Sequence, residues 1–210
     1  MFITFEGLDF CGKSTQVEKI KEKLESFGKK VILIREPGGT QISEKVREIL
    51  LDKNNSEMHI EAELLLFSAS RAQLVRQKII PLLKEGYFVI SDRFHDSSIA
   101  YQGYGRGIDL DSVKAIQKFA IGAAIPNITF FIDLPLSEID KRREKFGATN
   151  LDRIELSEND FYNNVRNGYL EMSKSESRFK VINGTKSIEE IHDKIILKLK
   201  ELIDFEKYNN

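Results

Sequence analysis

Residues 7–14, GLDFCGKS, come directly after the apolar run MFITF at residues 1–5. They satisfy G-x-x-x-x-G-K-[ST] at every fixed position, in the strand–loop–helix context that this pattern needs. The glycines Gly7 and Gly12 permit a tight turn and a close approach of the main chain, whose N–H groups then point at phosphate oxygens. A helix starting near Lys13 adds the positive end of its dipole at the same place. Lys13 can reach the β- and γ-phosphates, and the Ser14 hydroxyl can ligate Mg²⁺. The loop, with Leu8, Asp9, Phe10, Cys11 and Thr15 around these residues, implies a nucleoside triphosphate site.

The rest of the chain alternates in kind. Five β-rich runs lie at 1–5, 30–34, 87–91, 128–133 and 179–183, and most are nearly continuous in apolar residues, as strands covered on both faces are. Between them, helical patterns cover 13–27, 41–52, 61–84, 110–121, 136–146 and 187–204. This predicts an α/β fold, a five-stranded parallel sheet with crossover helices on both faces. The length of 210 residues suits a single domain. Within it, the basic, glycine-containing segment 141–160 reads either as a solvated loop or as a short mobile lid.

Composition removes several classes. Thirty-two basic and thirty-three acidic side chains give a net charge of −1, which argues against a broad nucleic-acid surface. One cysteine cannot form an internal disulfide, and no Cys/His set has zinc spacing. The opening residues lack a basic leader with a long apolar stretch, and no segment approaches eighteen unbroken apolar residues. The expected compartment is the cytoplasm, with no membrane partner.

A phosphate-binding loop alone leaves a switch, a motor or a kinase open. No Asn/Thr-Lys-x-Asp base-reading motif is present. Instead, Arg35-Glu36-Pro37-Gly38-Gly39-Thr40 follows the second strand and Asp92-Arg93-Phe94 the third, at the sheet edge where ligands collect. An arginine there can grip a second phosphate with its fork. Two opposed phosphate grips describe a phosphotransferase between nucleotides. Asp92 itself reads either as a helix cap or as a carboxylate near the metal.

The segments REPGGT (35–40), LLFSASRAQ (65–73) and SDRFHDSSIAYQGYGRG (91–107) together resemble the thymidylate (dTMP) kinase family. The similarity runs in order from residue 1 to about residue 200. It implies ATP as phosphoryl donor, Mg²⁺, dTMP as acceptor, and a homodimer. Phe67 would stack on thymine, Arg71 and Gln102 would hydrogen-bond its edge, and Pro37 would sit near its methyl group. Arg93 would hold the dTMP phosphate, with Arg47 and Glu36 near that end. Asp9 would contact the deoxyribose 3′-hydroxyl and help order the magnesium water shell. Tyr101 would fill the space of a ribose 2′-hydroxyl, with Ser97 and Ser98 lining the wall. Arg142, Arg143 and Arg153 would belong to a lid over the ATP phosphates, and Asn183-Gly184-Thr185 would pass near adenine. With Lys13 and Asp9, the arginines Arg93, Arg143 and Arg153 are the candidate catalytic groups; Ser14, Asp9 and Asp92 are the candidates around the metal.

One position departs from this pattern. Phe10 stands where one branch of the family has Arg and the bacterial branch usually has Gly. Phe cannot donate to a phosphate, so the charge is expected from the lid. Outside the resemblance, apolar residues of 61–80 read as core or as a dimer contact. The histidines His59, His95 and His192 read as ordinary surface or loop residues. Gly103, Gly105 and Gly107 read as a turn beside the substrate. A kinase for another nucleotide or a deoxynucleoside, and a P-loop regulatory ATPase, are the rival readings.

Overall fold

The structure, a computed structural model, describes residues 1–147, 152–154 and 159–203. Strands β1 (Phe2–Glu6), β2 (Val31–Arg35), β3 (Phe88–Asp92), β4 (Ile128–Asp133) and β5 (Phe179–Asn183) form one parallel sheet in the order β2-β3-β1-β4-β5. The first three end one residue later than their apolar runs, because Glu6, Arg35 and Asp92 complete the ladders. Their polar side chains are thereby fixed at the carboxyl edge. Phe2, Ile34 and Val89 pack in one hydrophobic layer and Ile3, Phe5 and Ile90 in the other, the period of two expected of a sheet covered on both faces. The direction of winding changes at β1, so the crevice beyond β1 is where a ligand is expected.

Helices α1 (Lys13–Ser26), α2 (Gln41–Leu51), α3 (Ile60–Leu74), α4 (Ile80–Lys84), α5 (His95–Ser98), α6 (Leu110–Ile121), α7 (Leu136–Lys145), α8 (Asn159–Ser175) and α9 (Ile188–Lys200) complete the fold among the described residues. Thr40, Asp109 and Ser187 cap α2, α6 and α9 through the backbone N–H groups of Ser43, Ser112 and Glu190. Each such cap stabilises its helix by about 1 kcal/mol. The expected helix 61–84 is one helical run with a wide π turn at Val75–Ile79, just before Pro81, which cannot donate to the preceding turn.

Two sequence expectations are corrected. Residues 103 and 105 do not form a turn: they lie in a helical segment, Ile99–Gly105, that continues α5 with π geometry. Gly103 there lets the segment pack closely on Leu110 of α6, and Gly105 on α8, which the sequence reading did not include. A Cβ on Gly105 would stand 2.6 Å from the Phe161 ring, and one on Gly168 would stand 2.6 Å from Tyr104. His95 is not a surface residue. It is buried beside Asp96, whose carboxylate takes two hydrogen bonds from Arg178 at 2.7 Å, and burial pushes the imidazole down to about 4. The expected lid 141–160 begins inside α7, and its residues 148–151 and 155–158 lie outside the described residues. No helix of the described residues is long and apolar enough to cross a membrane.

Candidate active site

The loop after β1 folds tightly around its lysine. Gly7 takes a φ of +141°, and a Cβ there would come within 2.7 Å of the Ile132 carbonyl and 2.8 Å of Cys11 Sγ. Lys13 Nζ donates to the carbonyls of Gly7 at 2.9 Å and Leu8 at 2.7 Å, which curls it over the loop. Cys11 is buried beneath, and burial pushes its thiol up, so it is no ready nucleophile. Phe10 occupies the left-handed region at φ +61°, a conformation that strains any side chain with a Cβ.

Ser14 lies in the first turn of α1, and its hydroxyl donates to Asp92 Oδ2 at 2.8 Å. The register makes this meeting possible: Asp92 pairs with Phe5 of β1 on one side and Arg35 of β2 on the other. Asp92 is not a cap, since Phe94 is the residue before α5 and caps it with no side chain. Among the described residues no three or more His, Cys, Asp or Glu side chains gather as a metal cage. One hydroxyl and one carboxylate are instead the hard, sparse oxygen set that suits Mg²⁺, which keeps most of its water and takes further ligands from phosphates.

Arg93 follows at φ +68° and turns back across the sheet edge. Its guanidinium donates to the Gly7 carbonyl at 2.9 Å and to Asp9 Oδ1 at 2.7 Å, and lies 5.0 Å from the Tyr101 ring centroid. Burial works against the Asp9 charge, but Arg93 and Lys13 outweigh it and hold the carboxyl below its ordinary range. Behind this pair stands Glu6, which the sequence reading passed over. It is fully buried and accepts from the Phe94 N–H at 2.8 Å, the Ser97 hydroxyl at 2.6 Å and the Tyr169 hydroxyl at 2.8 Å. A carboxylate closing an apolar strand was the available signal. Burial, then Asp96, pushes Glu6 up to about 7.

A cleft of about 790 Å³ joins the loop, including Thr15, to Phe67 on α3. Pro37, Arg47, Phe67, Ser97, Ser98 and Gln102 line it, and Arg71 forms part of its floor. Arg71 is tied down on every side. Its donors reach Glu36 at 2.6 Å, the Ser98 hydroxyl at 2.9 Å, Gln117 at 2.5 Å and the Phe94 carbonyl at 3.1 Å. Glu36 therefore sits with Arg71 near Phe67, while its Oε1 has no partner among the described residues. Gln117, which fixes Arg71, went unnoticed in the sequence because nothing marks one glutamine on an amphipathic helix. Arg47 donates to the Pro37 carbonyl at 2.9 Å.

Of the remaining candidates, only Arg142 also lines this cleft. Arg142 crosses onto the loop, donating to the carbonyls of Phe10 and Cys11 at 3.2 Å and of Gly184 at 2.8 Å. Arg143 lies 5.8 Å from the Phe10 ring centroid and does not line the cleft. Arg153 does not line it either: it donates to Glu63 at 2.7 Å and to the Leu50 carbonyl at 2.9 Å. The Asn183 side chain turns to Thr185, and Lys186, Ser187 and Ile188 form the wall in its place.

These features have counterparts in known proteins. The family model described as thymidylate kinase matches residues 5–195. A thymidylate kinase of Kosmotoga olearia is 49% identical over 197 residues, covering 93% of both chains. That of Thermosipho africanus is 48% identical over 205 residues, covering 97% of this chain and 98% of its own. The crystal structure of thymidylate kinase from Ehrlichia chaffeensis superposes with a TM-score of 0.77 at 36% identity, covering 95% of this chain and 98% of that one. On these matches, and on the loop and sheet that carry them, the chain belongs to the thymidylate kinase family.

Proposed function

We propose that the chain, as a single domain with a short lid, transfers the γ-phosphoryl group of ATP to dTMP, giving ADP and dTDP. The observation that carries this reading is the position of Arg93, bonded at once to the Gly7 carbonyl of the phosphate loop and to Asp9. A cation suited to an acceptor phosphate thus stands against the loop suited to the donor. Phe67, Arg71 and Gln102 give the acceptor's base a flat, polar-edged slot at the far end of the same cleft.

A monophosphate oxygen is already anionic, so this transfer needs no general base. Catalysis reduces to alignment and to neutralising the charge on the moving group. Lys13 leaves the carbonyls of Gly7 and Leu8 for the phosphates, and the loop N–H groups hold their oxygens. Arg93 aligns the acceptor phosphate, and Asp9 orients Arg93. Ser14 and Asp92 would hold Mg²⁺, which when bound supplies charge compensation between the phosphates. Arg143 and Arg153 add charge from the lid, and Arg142 covers the nucleotide side of the loop. Tyr101 packs beneath Arg93 where a ribose hydroxyl would intrude.

The same reading includes a homodimer through α3 and α6, supported by Leu65 at 57% and Phe119 at 80% exposure, and a cytoplasmic enzyme. A coupled ADP-release assay over a panel of nucleoside monophosphates tests it. Turnover is expected with dTMP well ahead of dCMP and UMP, and thymidine without its phosphate should be a poor acceptor. Faster turnover with another monophosphate, or none with dTMP, would refute it.

A further inference from the structure

Glu63 stands one helical turn before Phe67 on α3; it does not line the cleft and is 1% exposed. Both its oxygens are in use. Oε1 accepts from the Gln102 amide nitrogen at 2.9 Å and from Arg106 Nε at 3.3 Å. Oε2 accepts from Arg106 at 3.2 Å and from Arg153 at 2.7 Å. Burial alone would raise this carboxyl, but the bonds from Gln102 and the charge of Arg106 bring it below its ordinary range. It is ionised at neutral pH and can only accept. The Gln102 amide therefore has one orientation open to it. Its NH₂ faces Glu63, and its carbonyl oxygen, without a donor among the described residues, is left for the cleft that Gln102 lines.

The geometry points to Glu63 as the positioning residue for base selection: by fixing the Gln102 amide, it makes the cleft present an acceptor and so favours a pyrimidine with a ring N–H. This rests on reading the cleft as the dTMP site. Thymine carries a proton at N3, whereas N3 of cytosine is a bare acceptor. Against a fixed carbonyl oxygen, cytosine sets lone pair against lone pair and leaves the protein oxygen unpaired. Sites built around a hydrogen bond reject an analogue that cannot make it far more sharply than sites built on shape.

Glu63→Gln reverses the dependence. Arg106 Nη2 and Arg153 hold the new amide oxygen where Oε2 stood, so the new NH₂ takes the place of Oε1 and faces Gln102, giving up only the longer 3.3 Å bond from Arg106 Nε. Gln102 must turn to accept it, and then shows its own NH₂ to the cleft. Calorimetric Kd values for dTMP and dCMP, taken without ATP so that the lid chemistry does not enter, read this directly. The ratio Kd(dCMP)/Kd(dTMP) is expected to fall by about tenfold or more, chiefly through tighter dCMP. A merely structural role would weaken both ligands alike. Glu63→Asp keeps a group that only accepts, and the preference for dTMP should survive in it.

An unmoved ratio in folded Glu63→Gln protein overturns the inference. Should that variant fail to fold, the wild-type enzyme still decides, by nuclear Overhauser contacts in a ¹⁵N-labelled sample with dTMP. The Gln102 NH₂ protons should show none to the bound base, while the thymine N3–H is protected from exchange; contacts from that NH₂ to the base would overturn the inference. Wild-type enzyme that does not prefer dTMP contradicts the thymidylate reading itself and this inference with it. A preference that Glu63→Gln leaves intact contradicts this inference alone.

Discussion

The Arg93 guanidinium donates to the Asp9 carboxylate at 2.7 Å, across 84 residues of sequence. The contact joins the loop after β1 to the end of β3, the two places where the sequence puts separate anion-binding groups. Arg93 adopts a φ of +68° to make it, a backbone cost of about 1–2 kcal/mol for a residue with a side chain. Strain of this kind persists only where the surroundings over-determine it. Here the Gly7 carbonyl, Asp9 and the Tyr101 ring do so.

The lid arginines should affect chemistry more than binding. In the structure Arg153 is held by Glu63 and the Leu50 carbonyl, so its proposed role requires it to exchange those partners for phosphate. Arg153→Ala should lower kcat roughly a hundredfold or more while the Kd for dTMP stays within about threefold, and Arg143→Ala should shift the same way. Single-turnover kinetics and equilibrium binding separate the two quantities. An unchanged kcat in both variants removes the lid from the mechanism.

Asp92→Asn keeps an oxygen for the Ser14 hydroxyl but removes the negative charge beside it. The Mg²⁺ concentration giving half-maximal turnover should rise by about ten- to a hundredfold, with dTMP affinity nearly unchanged. A metal titration of the steady-state rate checks this. An unaltered titration would place the metal elsewhere.

At Phe10 the usual ranking of alanine over glycine should invert. Both Phe10→Ala and Phe10→Gly lose the ring that supports Arg143, but alanine retains the strain at φ +61°. The glycine variant should be the more stable by about 1 kcal/mol in urea unfolding. Equal or reversed stabilities would mean that the loop relaxes around residue 10.

Glu6 predicts a loss of stability as pH rises. Its carboxyl is pushed from 4.5 to about 7 in the folded chain, so folding is favoured while it is protonated. That contribution is complete below pH 4.5 and is lost as pH rises through 7, amounting to about 3 kcal/mol at most. In Glu6→Gln, the amide oxygen can keep the Phe94 N–H, and the two hydroxyls can turn to accept. Chemical unfolding from pH 5 to 7.5 should therefore show a stability decline in the wild type that is flattened in Glu6→Gln. Parallel curves would contradict the assignment.

The sheet was legible because each strand is a short apolar run that needs cover on both faces, and the loop was legible because its glycines and lysine sit at fixed spacing. α8 was not read, although Phe161, Val165, Tyr169 and Met172 recur at helical spacing and are all buried. Four asparagines and a glycine among its residues mask that period. Asp9, Phe67 and Arg93 could be picked out from local motifs. Glu63 and Gln117 could not, since each acts only on a partner that the fold brings from more than 35 residues away. The arginines of 141–160 stand out in the composition only as basic clusters, and composition does not say which carbonyl or carboxylate holds each one.

The central claim is that two phosphates meet between the loop after β1 and Arg93. A crystal structure with dTMP and a non-hydrolysable ATP analogue tests it most directly. The account predicts the dTMP phosphate within hydrogen-bond distance of Arg93, its ring on Phe67, and the triphosphate in the main-chain N–H groups around Lys13. A dTMP phosphate remote from Arg93, or a ring seated away from Phe67, would contradict it.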